Sequence, residues 1–297
     1  MTARDAGSAT SDRIGTFVAN LRQRAVPALA RAAGRVVARF PRGLDGITRV
    51  RFYAQRLTPE GVIEAYQLGL VPLTDAKGRI HWLDFDPRGV IPIADFRVGS
   101  ELRRTCRKGT FRVTVNRDFR GVIRGCADGH MRRLKSGEAS WVTPEIVDVY
   151  TELHRMCAAH SVEVYQGERL VGGVYGVSIG AYFCGESRFY LVSGAGQVAM
   201  AYLCHVLRAG GYLLHDAQMA TPNLERFGCH TISKAEFRAQ RIRAMLGSAR
   251  FEMTAFPPPD NARAQEVQSR SSAPPVAGAR PRREAGDRQD SPHGAPV

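Results

Sequence analysis

Apolar and polar positions follow two different periods along this chain. Between residues 14 and 40, Ile14, Phe17, Val18, Leu21, Val36, Val37 and Phe40 recur at roughly helical spacing with arginines between them. Pro27 breaks or kinks that pattern. Residues 1–48 therefore read as a basic amphipathic arm, able to lie on a membrane, touch RNA, target the chain or pack on a domain. Thr58-Pro59-Glu60 is a helix start, with an N-cap, a proline in the first turn and then an acid, and Gly69 is placed to stop it. A strand is predicted over Arg112–Val115. Thr143-Pro144-Glu145 opens a second helix carrying Ile146, Val149, Tyr150, Leu153 and Met156 along one face.

Period-two alternation takes over at residues 161–165. Gln166-Gly167 turns the chain, a glycine-containing strand runs over 170–178, and 182–184 is a third, short strand. Residues 195–208 form an apolar helix stopped by Gly210-Gly211, 212–218 is another strand, and a helix over 223–227 ends at Gly228. Ser233-Lys234-Ala235-Glu236 is a capping box that opens a final helix. The tail 257–297 is dominated by Pro, Gly, Ser, Arg and Ala; it cannot bury enough apolar surface to offset its ordering entropy and is expected to be disordered. Interspersed strands and helices predict an α+β (α/β) core.

Composition narrows the function classes. With 297 residues, 44% of them hydrophobic and 24% charged, the chain is long enough to bury a sizeable core. No window approaches the ~18 uninterrupted apolar residues of a membrane span, so no stable membrane insertion is expected. A net charge of +14 and an isoelectric point near 10.1 favour a polyanionic partner such as nucleic acid. None of the six cysteines forms a C-x-x-C pair, so no metal site is expected; reduced thiols and the absence of a secretory leader point to the cytoplasm.

Three clusters carry candidate chemistry. Phe183-Cys184-Gly185-Glu186-Ser187 puts a carboxylate beside glycine at the end of an apolar strand. His215-Asp216-Ala217-Gln218 ends another, and period-two geometry predicts Asp216 and Gln218 on one face, the carboxylate orienting the amide. Gly172-Gly173-Val174-Tyr175-Gly176 places glycines inside a strand, where a bulge or a close approach needs them.

In this order and spacing, these runs together with Tyr66-Gln67, Asp86-Pro87-Arg88, Phe111-Arg112-Val113-Thr114-Val115-Asn116 and Trp141-Val142-Thr143 resemble the leucyl/phenylalanyl-tRNA–protein transferases over about residues 50–240. The resemblance implies a small N-terminal domain (49–110) and an N-acetyltransferase-like (GNAT-like) domain (111–250). It implies transfer of Leu or Phe from aminoacyl-tRNA to proteins beginning with Lys or Arg, marking them for degradation, by a monomer without metal or other cofactor. Carried over by position, Asp216 would orient Gln218, Gln218 would assist the incoming α-amine, and Glu186 would add polar contacts. Val174, Phe183, Met200, Leu203 and Leu207 would line the aminoacyl pocket. Trp141 and Trp82 would serve the terminal adenosine, and Arg103, Arg104, Arg107 and Lys108 the tRNA phosphates.

Departures fall mostly on the donor side: Val71-Pro72-Leu73 lacks a stacking Trp, Arg188-Phe189-Tyr190 and Gly194-Ala195-Gly196-Gln197 replace the usual runs, and Leu203 and Leu207 stand where aromatics are expected. The glycine turn at 194–196 keeps a coenzyme A-dependent N-acyltransferase open as an alternative, beside a catalytically inert tRNA- or peptide-binding relative.

Overall fold

The computed structural model describes residues 48–54, 57–74, 79–131 and 142–253, all within the compact unit Met1–Ala262. Almost all of the arm, the whole tail 257–297 and Trp141 lie outside these residues.

A seven-stranded sheet dominates the described residues. Its strands are β4 (Arg88–Ile91), β5 (Arg112–Val115), β6 (Ala159–Gln166), β7 (Arg169–Ile179), β8 (Tyr182–Tyr190), β9 (Leu214–Gln218) and β10 (His230–Ile232). They run in the order β10-β4-β9-β8-β7-β6-β5. Every neighbouring pair is antiparallel except β8 and β9. A parallel pair needs a crossover, supplied here by helix α5 (Ala195–Ala209). A second sheet holds β1 (Thr48–Ala54), β2 (Val71–Thr74) and β3 (Ile80–Phe85), ordered β1-β3-β2. The remaining helices are α1 (Pro59–Gln67), α2 (Ser100–Arg107), α3 (Phe119–Met131), α4 (Pro144–Arg155), α6 (Pro222–Glu225) and α7 (Lys234–Leu246).

Side-chain alternation, reset by a register break that leaves Val171 as an extra residue opposite β6, sorts the large sheet into two cores. Tyr175, Val177 and Ile179 of β7 pack with Val122 and Ile123 of α3 and with Ile146 and Tyr150 of α4. Val171 and Val174 face the other way, against Val198, Leu203 and Val206 of α5. The sheet is thus covered by helices on both faces, and the chain is a mixed α+β protein.

The helix signals act as expected. Thr58 caps α1 by accepting from the Gly61 N–H, and Gly69 follows with φ +80°. Thr143 caps α4, and Ser233 caps α7 by accepting from the Glu236 N–H. Two strands differ from expectation. The strand expected over 182–184 continues to Tyr190, so Glu186 lies within β8 instead of at its end. β4 and α2 both precede residue 111, yet β4 pairs with β9 and β10 in the large sheet and α2 packs against α5.

Candidate active site

Two breaks in strand register build the site. Opposite β4, Val90 pairs with Asp216 and Gly89 with Gln218, so Ala217 is an extra residue. Opposite β7, Gly176 pairs with Gly185 and Tyr175 with Ser187, so Glu186 is extra. Glycine is required on both partner strands. A Cβ on Gly89 would lie 2.4 Å from the Met219 carbonyl carbon, and one on Gly176 would lie 2.3 Å from the Cys184 oxygen. The first bulge leaves Gln218 with φ +64°, the left-handed region that a glutamine rarely adopts.

This geometry corrects the period-two expectation for Asp216 and Gln218. The Asp216 carboxylate does not touch the Gln218 side chain amide; its Oδ1 accepts the Gln218 backbone N–H at 2.8 Å. The rest of the carboxylate is held by other groups. Arg88 donates from Nε to Oδ1 at 2.8 Å and from Nη2 to Oδ2 at 2.6 Å, and the Tyr182 hydroxyl donates to Oδ2 at 2.6 Å. Asp216 therefore sets the backbone of Gln218, and through it the direction of the side chain.

The electrostatics of the clamp are those of a buried pair in which each charge compensates the other. Burial pushes the Asp216 pKa up, but the Arg88 charge and the bonds from Arg88, Tyr182 and the Gln218 N–H hold it below the ordinary aspartate value. Burial likewise works against the Arg88 cation, and Asp216 more than offsets it.

The Gln218 amide is fixed from the far side. Its Nε2 donates to the Gly185 carbonyl oxygen at 3.0 Å and to Glu186 Oε1 at 3.2 Å. A carbonyl oxygen only accepts, so the amide orientation is determined and Oε1 is the acceptor end. The backbone pairing of β8 with β9 stops at Cys184 and Asp216, and this side chain bridges the strands beyond that point. Glu186 lies beside the buried hydroxyls of Tyr66 and Tyr150, which are bonded to each other at 2.7 Å. Burial pushes its pKa up to about 7, while hydrogen bonds from Tyr66 and Cys184 pull the other way.

The other expected positions are scattered. Val174, Phe183, Met200, Leu203 and Leu207 do come together, but as core: each is at most 4% exposed and all belong to one cluster beneath α5. Trp82 is 3% exposed inside the core around the small sheet, where its ring is covered. Arg103, Arg104, Arg107 and Lys108 gather on α2 and, with Ser100, line an open depression of about 420 Å³. A different face of the same helix packs toward the start of α5, where the Thr105 side chain would lie 3.6 Å from a Cβ on Gly194. His215, adjacent to Asp216, is not part of the site: burial lowers its pKa to about 4, and its Nδ1 is 3.7 Å from the Cys204 sulfur.

Reading the residues alone missed Arg88, Tyr182 and Tyr66 as site residues. The signal for Arg88 was an arginine at the head of the apolar run Val90-Ile91, a position that strands a charge in the core unless it is paired. Its partner stands 128 residues away.

The family model for leucyl/phenylalanyl-tRNA protein transferase matches residues 90–241. A leucyl/phenylalanyl-tRNA–protein transferase of Maricaulis maris is 41% identical over 212 residues, covering 71% of this chain and 95% of that protein. Another, from Salinibacter ruber, is 44% identical over 190 residues, covering 64% of this chain and 80% of that protein. The solved structure of L-PGS from Bacillus licheniformis aligns at 12% identity with a TM-score of 0.33, covering 64% of each chain. The matched span contains Asp216, Gln218 and Glu186 and starts two residues after Arg88, and this chain belongs to the leucyl/phenylalanyl-tRNA protein transferase family.

Proposed function

We propose that this protein transfers an aminoacyl group, Leu or Phe or a related residue, from aminoacyl-tRNA to the N-terminal Lys or Arg of acceptor proteins, marking them for degradation. The observation that carries the reading is the locked Gln218 amide. With Nε2 held by Gly185 and Glu186, Oε1 accepts an N–H of the acceptor's α-amine and aims the nitrogen lone pair. The amine attacks the ester carbonyl carbon of the charged tRNA. The bond from that carbon to the ribose oxygen then breaks, an amide forms, and the leaving oxygen takes up a proton given up by the amine. Glu186, beside Gln218, supplies negative charge for a cationic acceptor.

The basic face of α2 is the proposed phosphate contact, where charge attracts the tRNA backbone without reading its sequence. The finer fold reading, an N-acetyltransferase-like domain with a small N-terminal domain, belongs to the same proposal; the pairing of β4 with β9 and β10 puts the boundary before Arg88 instead of at residue 110. The β8–α5–β9 crossover and the separate three-stranded sheet support it. A reducing compartment, the cytoplasm, is supported by six cysteines that are all free thiols.

The test is incubation of the purified protein with charged tRNA pools and peptides beginning with Lys, Arg, Asp or Glu, read by mass spectrometry. Leu or Phe added to the Lys and Arg peptides is the expected result. Acylation from acetyl-coenzyme A alone, with no transfer from tRNA, would overturn it in favour of the coenzyme A-dependent reading.

A further inference from the structure

Arg88 has features that exceed those of a simple charge balance. It is fully buried, and three of its N–H groups are assigned: two to Asp216 and one, from Nη1, to the Gly69 carbonyl oxygen at 3.0 Å. Its guanidinium lies 4.5 Å from the Phe237 ring centre, and the Phe85 ring centre is 5.5 Å away. Bidentate donation, the bond to Gly69 and the contact over the Phe237 ring together leave the guanidinium little freedom. Gly69 is the left-handed stop of α1, Phe237 belongs to α7 and Phe85 to β3, so the position of Arg88 is set by three separate elements. Its neighbour Gly89 is the residue opposite Gln218 at the β9 bulge.

From this we infer that Arg88 is a positioning residue of aminoacyl transfer: by fixing the Asp216 carboxylate it makes Oδ1 capture the Gln218 backbone N–H, and so aims the Gln218 carbonyl at the incoming amine. The inference rests on the proposed transfer reaction. Arg88 acts at one remove, because Asp216 and the Gln218 backbone stand between it and the reacting atoms. A lysine at this position would keep a cation but could not make two parallel bonds to the carboxylate.

Three variants separate this role from mere support of the fold. Arg88→Lys, purified as folded protein, should transfer with kcat at least tenfold lower, while KM for charged tRNA stays within twofold of wild type. Arg88→Met should in addition move the acid limb of the kcat profile to higher pH, because Asp216 loses the charge that keeps it ionised. The double variant Arg88→Met/Asp216→Asn should be no slower than the slower single variant, since both changes remove one unit.

Wild-type kcat in Arg88→Lys, or multiplicative losses in the double variant, would overturn the inference while leaving the transfer reaction standing. Absence of transfer by the wild-type protein would remove the reaction and the inference together. Where Arg88→Met fails to fold, Arg88→Lys and Tyr182→Phe carry the test. Tyr182→Phe removes a bond to Asp216 but leaves the ion pair and the captured N–H, so it should cost less than Arg88→Lys; the reverse order would overturn the inference.

Discussion

The polar clamp around Asp216, on β4, β8 and β9, and the apolar set on β7, β8 and α5 share a strand but are built on opposite terms. In the clamp every charged group has a named partner, and the resulting geometry is an irregular one: two bulges and a left-handed glutamine. In the apolar set, Val174, Phe183, Met200, Leu203 and Leu207 obey strand and helix periodicity and fill space as a core does. Strain and unusual hydrogen bonds gather at the proposed acceptor site, while the proposed donor pocket is closed by close packing. The difference teaches that the two regions are recognised by different signs: a broken register around the Asp216 clamp, and residues at regular spacing in the packed core beneath α5.

The largest expected effect tests the clamp. Asp216→Ala leaves the Arg88 cation buried and unpaired, which should destabilise the fold by about 3–5 kcal/mol in urea melts. A loss below about 1 kcal/mol, the size of an exposed ion pair, would mean the pair is not desolvated as described. Leu203→Ala tests the other side: as a core residue at 1% exposure it should cost about 2–5 kcal/mol of stability. A stable Leu203→Ala protein that accepts bulkier donor residues would make this side chain the wall of an open pocket instead.

Gln218→Asn keeps an amide that tolerates a positive φ but shortens it by one methylene. Transfer should fall at least tenfold, about 1.4 kcal/mol of barrier, with the melting temperature little changed. Equal rates would detach catalysis from the amide. The smallest effect concerns Glu186. With a folded pKa near 7, above that of the unfolded chain, its neutral form favours folding. That contribution is complete below the unfolded pKa and fades as pH rises through 7. Over the same range the carboxylate forms, so KM for an Arg-starting peptide should fall between pH 6 and 8. Glu186→Gln should flatten both trends, and an unaltered KM profile would separate Glu186 from acceptor binding.

Much of this was legible from local rules. Thr58, Thr143 and Ser233 each cap the helix that their spacing announced, because an N-cap acts within three residues. Asp216, Gln218 and Glu186 were picked out, and the structure brings Gln218 into contact with both of the others. The route between Asp216 and Gln218 was misread, because alternation assumes an unbroken strand and cannot see the extra residue at Ala217. The stacking role expected of Trp82 met a buried ring, since neighbours distant in sequence decide whether an aromatic face is open.

The sequence by itself determined the capped helices, the α+β class, the family and which polar residues to examine at the ends of the apolar strands. These depend on capping, periodicity and motif order, all of which act over a few residues. Only the tertiary structure decided how the site works: that Arg88 of β4 reaches Asp216 of β9, that Gly69 and Phe237 hold Arg88 in place, and that Gln218 is turned by its backbone. A buried charge must find its counter-charge wherever the fold brings one, and no local pattern carries that address.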